Sequence, residues 1–99
     1  MYIDSVKKEW EEICENVEYD ETTKIDDMCD NDKKMMKRIM KEIKNNTQDE
    51  RVEQIDSVSV KRLKHHINKD VLLCLECSEN PFYMLWIYEK DGRMWCDMN

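Results

Sequence analysis

Seven uncharged residues in succession, Phe82-Tyr83-Met84-Leu85-Trp86-Ile87-Tyr88, stand out from a chain in which 39% of residues are charged. The run is rich in aromatic and β-branched types and is bounded by Pro81 and by Asp91-Gly92, which suits a strand better than a helix. We read it as the central strand of a small antiparallel sheet, with the preceding chain folded to cover that sheet. The C-terminal region, residues 70–99, then forms a three-stranded β-meander: Val71 to Cys77, Phe82 to Glu89 and Arg93 to Met98.

The last hairpin has two candidate registers. A two-residue Asp91-Gly92 loop pairs Tyr88 with Trp95 and sets Asp97 beside Trp86. A three-residue Lys90-Asp91-Gly92 loop with a bulge pairs Glu89 with Arg93 and Trp86 with Cys96. The second is preferred, because it makes a cross-strand ion pair and gathers Phe82, Met84, Trp86, Tyr88, Met94, Cys96 and Met98 on one face. The other face then carries Tyr83, Leu85, Ile87 and Trp95. So large an apolar patch needs a helix or a partner over it, and a partner is favoured.

Upstream, periodicity of three and four marks helices. Ile3, Val6, Trp10, Ile13, Cys14 and Val17 form one apolar stripe, started by Asp4 or Ser5 as a cap. Glu11, Glu15 and Glu18 form an exposed ridge on that helix, extended by Glu12, Asp20 and Glu21. Thr22 or Thr23 caps a second helix whose stripe is Ile25, Cys29, Asp32, Met36, Ile39 and Ile43. Asp32 is out of place on it, so Asp30-Asn31-Asp32 is expected to split that helix. The two helices form an antiparallel hairpin. Thr47-Gln48-Asp49-Glu50 reads as a capping box before a short helix to about Asp56. Val58-Ser59-Val60 alternates like a strand, but Ser59 followed by Val60, Leu63 and Ile67 reads more as a capped helix. The fold expected is a single α+β domain, 1–99, with a helical part at 1–69 packed on the meander at 70–99. One glycine and one proline in 99 residues agree with few tight turns.

Charge is unevenly spread. Residues 1–32 hold twelve acids against three lysines, residues 33–69 eleven bases against five acids, and residues 70–99 six acids against two bases. The net charge of −7 disfavours direct nucleic-acid binding, which needs a basic footprint. No uncharged run is long enough for a membrane span, and no basic-then-apolar leader opens the chain. A cytoplasmic protein, of its own cell or of an infected host, is expected, with its five cysteines reduced.

Chemistry is sparse. Cys74-Leu75-Glu76-Cys77, with His65, His66 and Cys96, allows a zinc site on paper. Residues three apart in a strand point to opposite faces, however, so buried thiols acting as small hydrophobes are the better account. His65-His66 among Lys61, Arg62, Lys64 and Lys69 reads as a solvated basic helix face. Methionines 28, 35, 36 and 40 read as core filler against Trp10 rather than a binding groove. No catalytic residues, metal or cofactor are expected, and the chain is not expected to be an enzyme.

Small size, acidity, lack of chemistry, and a Lys-, Asn-, Ile- and Met-rich composition resemble in style the accessory proteins of phages and mobile elements, anti-CRISPR proteins among them. That likeness implies a small acidic protein-binding module that inhibits a host nucleic-acid-handling complex. Partner contact is expected through Tyr83, Leu85, Ile87 and Trp95, or through Glu11, Glu12, Glu15 and Glu18 acting as a phosphate mimic. The alternatives are a self-associating α+β adaptor or regulatory subunit, with a homodimer formed through the second sheet face, and, behind both, a zinc-stabilised or catalytic protein.

Overall fold

The computed structural model describes residues 1–62 and 71–98. A 3₁₀ turn at Asp4–Val6 runs into α1 (Lys7–Asn16); β1 (Thr22–Lys24) and a 3₁₀ turn at Ile25–Asp27 follow, then α2 (Asp30–Thr47). A third 3₁₀ turn, Glu50–Gln54, leads into β2 (Ser57–Arg62), β3 (Val71–Cys77), β4 (Asn80–Lys90) and β5 (Arg93–Met98). The strands form one antiparallel sheet in the order β1-β2-β3-β4-β5. The fold is therefore α+β as expected, but the sheet has five strands rather than three, and its centre is β3 rather than the Phe82–Tyr88 run.

Both extra strands come from the part read as helical. Ser57–Arg62 pairs along its whole length with β3, so the alternation of Val58-Ser59-Val60 was the true signal and Ser59 caps nothing. Val58 and Val60 are fully buried on one face, and Ser57 and Ser59 are closed off on the other. Thr22 and Thr23 pair with Ser59 and Val58 instead of capping a helix. Leu63, Ile67, Lys64, Lys69 and the His65-His66 pair lie outside the described residues.

The first helical stripe holds, and the second holds from Asp32 onward, Ile25 and Cys29 lying ahead of α2. Ile3, Val6, Trp10, Ile13, Cys14 and Val17 are all buried, and so are Met36, Ile39 and Ile43. Full burial of such side chains stabilises by about 1.5–3 kcal/mol each. The break at Asp30 is also observed, with Met28 and Cys29 extended between the 3₁₀ turn and α2. Asp32 sits buried in the first turn of α2, where its carboxylate suits the helix dipole and accepts from Asn16 Nδ2 at 3.0 Å. That contact joins the end of α1 to the start of α2, while Arg38 reaches back to Glu9 at 3.3 Å, so the two helices run antiparallel.

Caps fall differently from expectation. Neither Asp4 nor Ser5 caps the first helix. Asp4 instead accepts from the Met94 amide at 2.7 Å and from Arg93 Nε at 3.2 Å, clasping the N-terminus to β5. At the expected capping box, Asp49 rather than Thr47 takes the free N–H, that of Arg51, at 2.9 Å. α2 ends at Gln48, which adopts the left-handed conformation (φ 54°) and donates to Lys44 O.

Helices and 3₁₀ turns lie on one side of the sheet. There the inward residues of six elements meet: Trp10, Ile13, Met36, Ile39 and Ile43 from the helices, and Val58, Val60, Leu73, Leu75, Leu85, Ile87, Met94 and Cys96 from the strands. The Trp10 indole donates to Ile87 O at 3.2 Å, pinning α1 over β4.

Candidate functional site

The β4–β5 turn decides which side chains face out. Asp91 (φ 54°) and Gly92 (φ 75°) both take left-handed conformations, as a two-residue type I′ turn requires. Lys90 pairs with Arg93, Tyr88 with Trp95, and Trp86 with Asp97. The bulged register preferred from the sequence is thus corrected by one residue, and with it the faces of β5. Met94 and Cys96 turn inward and Trp95 outward.

The expected apolar partner face is accordingly divided. Tyr83, Leu85 and Ile87 are at most 5% exposed, under the helices, and present nothing to a partner. Trp95 lies on the opposite face, half-buried, with its ring 4.0 Å from that of Tyr2. The open apolar surface is instead Phe82, Met84, Trp86, Tyr88 and Trp95, with Phe82 88% and Trp86 38% exposed. In the bulged register most of these residues belong to the opposite, covered face. The signal that finds them is the strand alternation together with the turn type, which only the tertiary structure supplies.

This outer face differs from side to side. Over β2 and β3 it is closed: Ser57, Ser59, Leu72 and Cys74 are each no more than 5% exposed. Over β4 and β5 it is open and aromatic. Asp97 stands across from Trp86 and accepts the Tyr88 hydroxyl at 2.5 Å. Glu76, paired with Met84, lies diagonally on the other side of Trp86 and accepts from Ser59 Oγ at 3.3 Å. At the hairpin end Arg93 stacks 3.3 Å from the Tyr2 centroid and Lys90 lies 6.0 Å from that of Trp95.

Each sheet edge ends in a short segment rather than a long strand. Residues 1–3 run along β5, with Ile3 N donating to Met94 O at 3.0 Å and Cys96 N to Met1 O at 2.8 Å. At the other edge β1 and the Tyr19–Val60 bridge cover β2, and Asp20 N donates to Val60 O at 2.8 Å. Edge pairing with another chain is blocked by these short covers.

The acidic ridge is exposed at Glu11, Glu15 and Glu18 and half-buried at Glu12. It is shorter than the sequence suggests, because α1 stops at Asn16 and Val17 is already extended. Glu18 leaves the helix and faces Glu21, whose carboxyl is held above its ordinary range by the hydrogen bond and repulsion from Glu18. Glu15 sits in a last turn that has no basic residue, where the helix dipole disfavours an acid.

Cys74 and Cys77 point to opposite faces, since only Cys77 joins the helix-side core. Among the described residues no three His, Cys, Asp or Glu side chains gather as metal ligands. Cys14, Cys74 and Cys96 are buried, and burial pushes their thiols up to about 12, the reverse of an activated nucleophile. Cys29 departs from the expected pattern and is exposed. Tyr83 Oη and Glu9 Oε2 are buried without a hydrogen-bond partner among the described residues. Small clefts at the end of α2, such as one of about 360 Å³ lined by Lys44, Asn45, Gln48, Glu50 and Glu53, bring no reactive group together. No described helix is long and apolar enough to cross a membrane. Compared with models of known families, with curated proteins and with solved structures, the chain matches none.

Proposed function

We propose that this chain is a non-enzymatic protein-binding module that docks through the open β4–β5 face of its sheet. The observation that carries this is the exposure of Phe82 and Trp86 on a face that none of the described helices covers. Contiguous apolar patches rimmed by polar groups mark interaction sites, and buried aromatic anchors dominate interface energetics. With both edges capped, the flat face is the part of the sheet left for a partner.

For the partner we infer a larger protein that handles nucleic acid, which the module inhibits in the manner of phage or mobile-element accessory proteins. Its net charge of −7 supports this, since a basic groove attracts an acidic protein at long range. Glu11 and Glu15, four residues apart on the exposed side of α1, serve that attraction.

The test is affinity capture from the source cell with wild type, Trp86→Ala and the double variant Glu11→Lys, Glu15→Lys, partners being identified by mass spectrometry. A nucleic-acid-binding protein retained by wild type, lost with Trp86→Ala and weakened by the charge reversal is the expected result. Retention by all three removes both surfaces from consideration. A second copy as the sole partner favours the self-associating subunit instead.

A further inference from the structure

We propose that Trp86, Asp97 and Glu76 form a notch that takes an arginine side chain from a basic protein surface. This deepens the docking role above and rests on it. Trp86 presents an exposed indole between two carboxylates, that of Asp97 directly across on β5 and that of Glu76 diagonally across on β3. Directly opposed side chains in a sheet stand about 5 Å apart at Cβ, which places the Asp97 carboxylate at the rim of the ring. Asp97 Oδ2 is occupied by the Tyr88 hydroxyl, which orients the carboxylate, and no described donor takes Oδ1.

Cations of the described chain lie over three of its other aromatic rings. Arg93 stacks on Tyr2, Lys90 on Trp95 and Arg51 on Tyr83, while no cation among the described residues lies over Trp86 or Phe82. Among the described residues, the other bases on this face, Lys61 and Lys24, are on β2 and β1, roughly 10–15 Å across the sheet from Trp86. An aromatic face beside free carboxylate suits a guanidinium, which can stack on the indole and donate in its own plane to the rim. An ammonium offers a point charge and cannot do both.

Charge selects the occupant. Phosphate is repelled by Asp97 and Glu76, which argues against nucleic acid on this face. A second copy would bring the same two carboxylates into the interface, and Arg93, the described arginine beside them, is tied to Asp4 at 3.2 Å and stacked on Tyr2. A basic protein surface meets both demands. Phe82, four residues along β4 and so roughly 13 Å away, supplies a second, apolar anchor point for the same partner.

The experiment titrates the protein with acetylated tetra-arginine amide and with its tetra-lysine counterpart. The Trp86 indole resonance, assigned by its loss in Trp86→Phe, is followed by NMR. The arginine peptide should shift that resonance and bind about threefold or more tighter than the lysine peptide, the difference an exposed guanidinium–indole contact supplies. Asp97→Asn keeps an acceptor for Tyr88 and should remove the preference while the protein stays folded. Equal binding of both peptides, an unmoved Trp86 indole, or a shift of that indole with protein concentration alone would each overturn the proposal. The docking role fails separately: a captured partner lost with Trp86→Ala but kept with Asp97→Asn preserves docking and rejects the notch.

Discussion

The Tyr88 hydroxyl donates to Asp97 Oδ2 across 2.5 Å, joining β4 to β5 on the sheet face opposite the described helices. The register of the whole hairpin is visible in that contact, because a slip of one residue would carry Asp97 to the core side.

The hydrogen bond from Tyr88, and to a lesser extent burial, pushes the tyrosine pKa up to about 12. An unfolded tyrosine ionises near pH 10. The folded value is the higher one, so the associated stability is complete below about pH 10 and is lost as pH rises towards 12. Ultraviolet titration should show a tyrosine ionising well above the usual range, a step that Tyr88→Phe deletes and Asp97→Asn moves down. Normal titration of Tyr88 would show that the bond does not persist in solution.

At the acid end the signs reverse. Asp4 is held below its ordinary pKa by the Met94 amide and then by Arg93, and Asp56 by the hydroxyl and amide of Ser78. Lowered carboxyl groups contribute stability above about pH 4 that disappears as pH falls through their folded values. Melting temperature should therefore drop below about pH 4, and Asp56→Asn should flatten that limb. Faster amide exchange at Met94 in Asp4→Asn is the matching local readout.

Gly92 has φ 75° and nothing within 4 Å of where a Cβ would stand. Gly92→Ala should therefore cost only backbone strain, about 1–2 kcal/mol by urea denaturation. A neutral effect would contradict the two-residue turn.

Adjacent residues of β4 should respond in opposite ways. Leu85 is fully buried, so Leu85→Ala should lose about 2–5 kcal/mol of folding stability. Trp86 is 38% exposed, and Trp86→Ala should cost folding much less while abolishing partner capture. Comparable folding losses at both positions would mean that the outer face is covered.

Thiol labelling provides a further check. Cys29 is exposed and should react in the native protein, whereas Cys14, Cys74, Cys77 and Cys96 should react only on unfolding. Prompt reaction of a second thiol would place one of the buried four at the surface.

Local signals were legible wherever one face of an element meets the core and the other meets water. The stripes of α1 and α2 follow from spacings of three and four, the break at Asp30 from an acid where an apolar residue was due, and the spans of β3, β4 and β5 from their apolar runs. Asp4 was legible only as a polar residue near a helix start. Its partner, the Met94 amide, is 90 residues away, and no local pattern reports it.

The amino-acid sequence by itself determined two amphipathic helices and a C-terminal meander, because periodicity of burial is written into neighbouring residues. Only the tertiary structure decided which face of the sheet stays open. Phe82 to Tyr88 is apolar at every position and so carries no alternation to tell inside from outside. The helix layer takes one set, Tyr83, Leu85 and Ile87, and the two-residue turn then sends Trp95 and Asp97 to the other. Ser57–Arg62 and Thr22–Lys24 became strands for the same reason. Short segments with weak local preference take whatever conformation pairs their backbone groups, and here β3 offers its edge to Ser57–Arg62, which in turn offers its own to Thr22–Lys24.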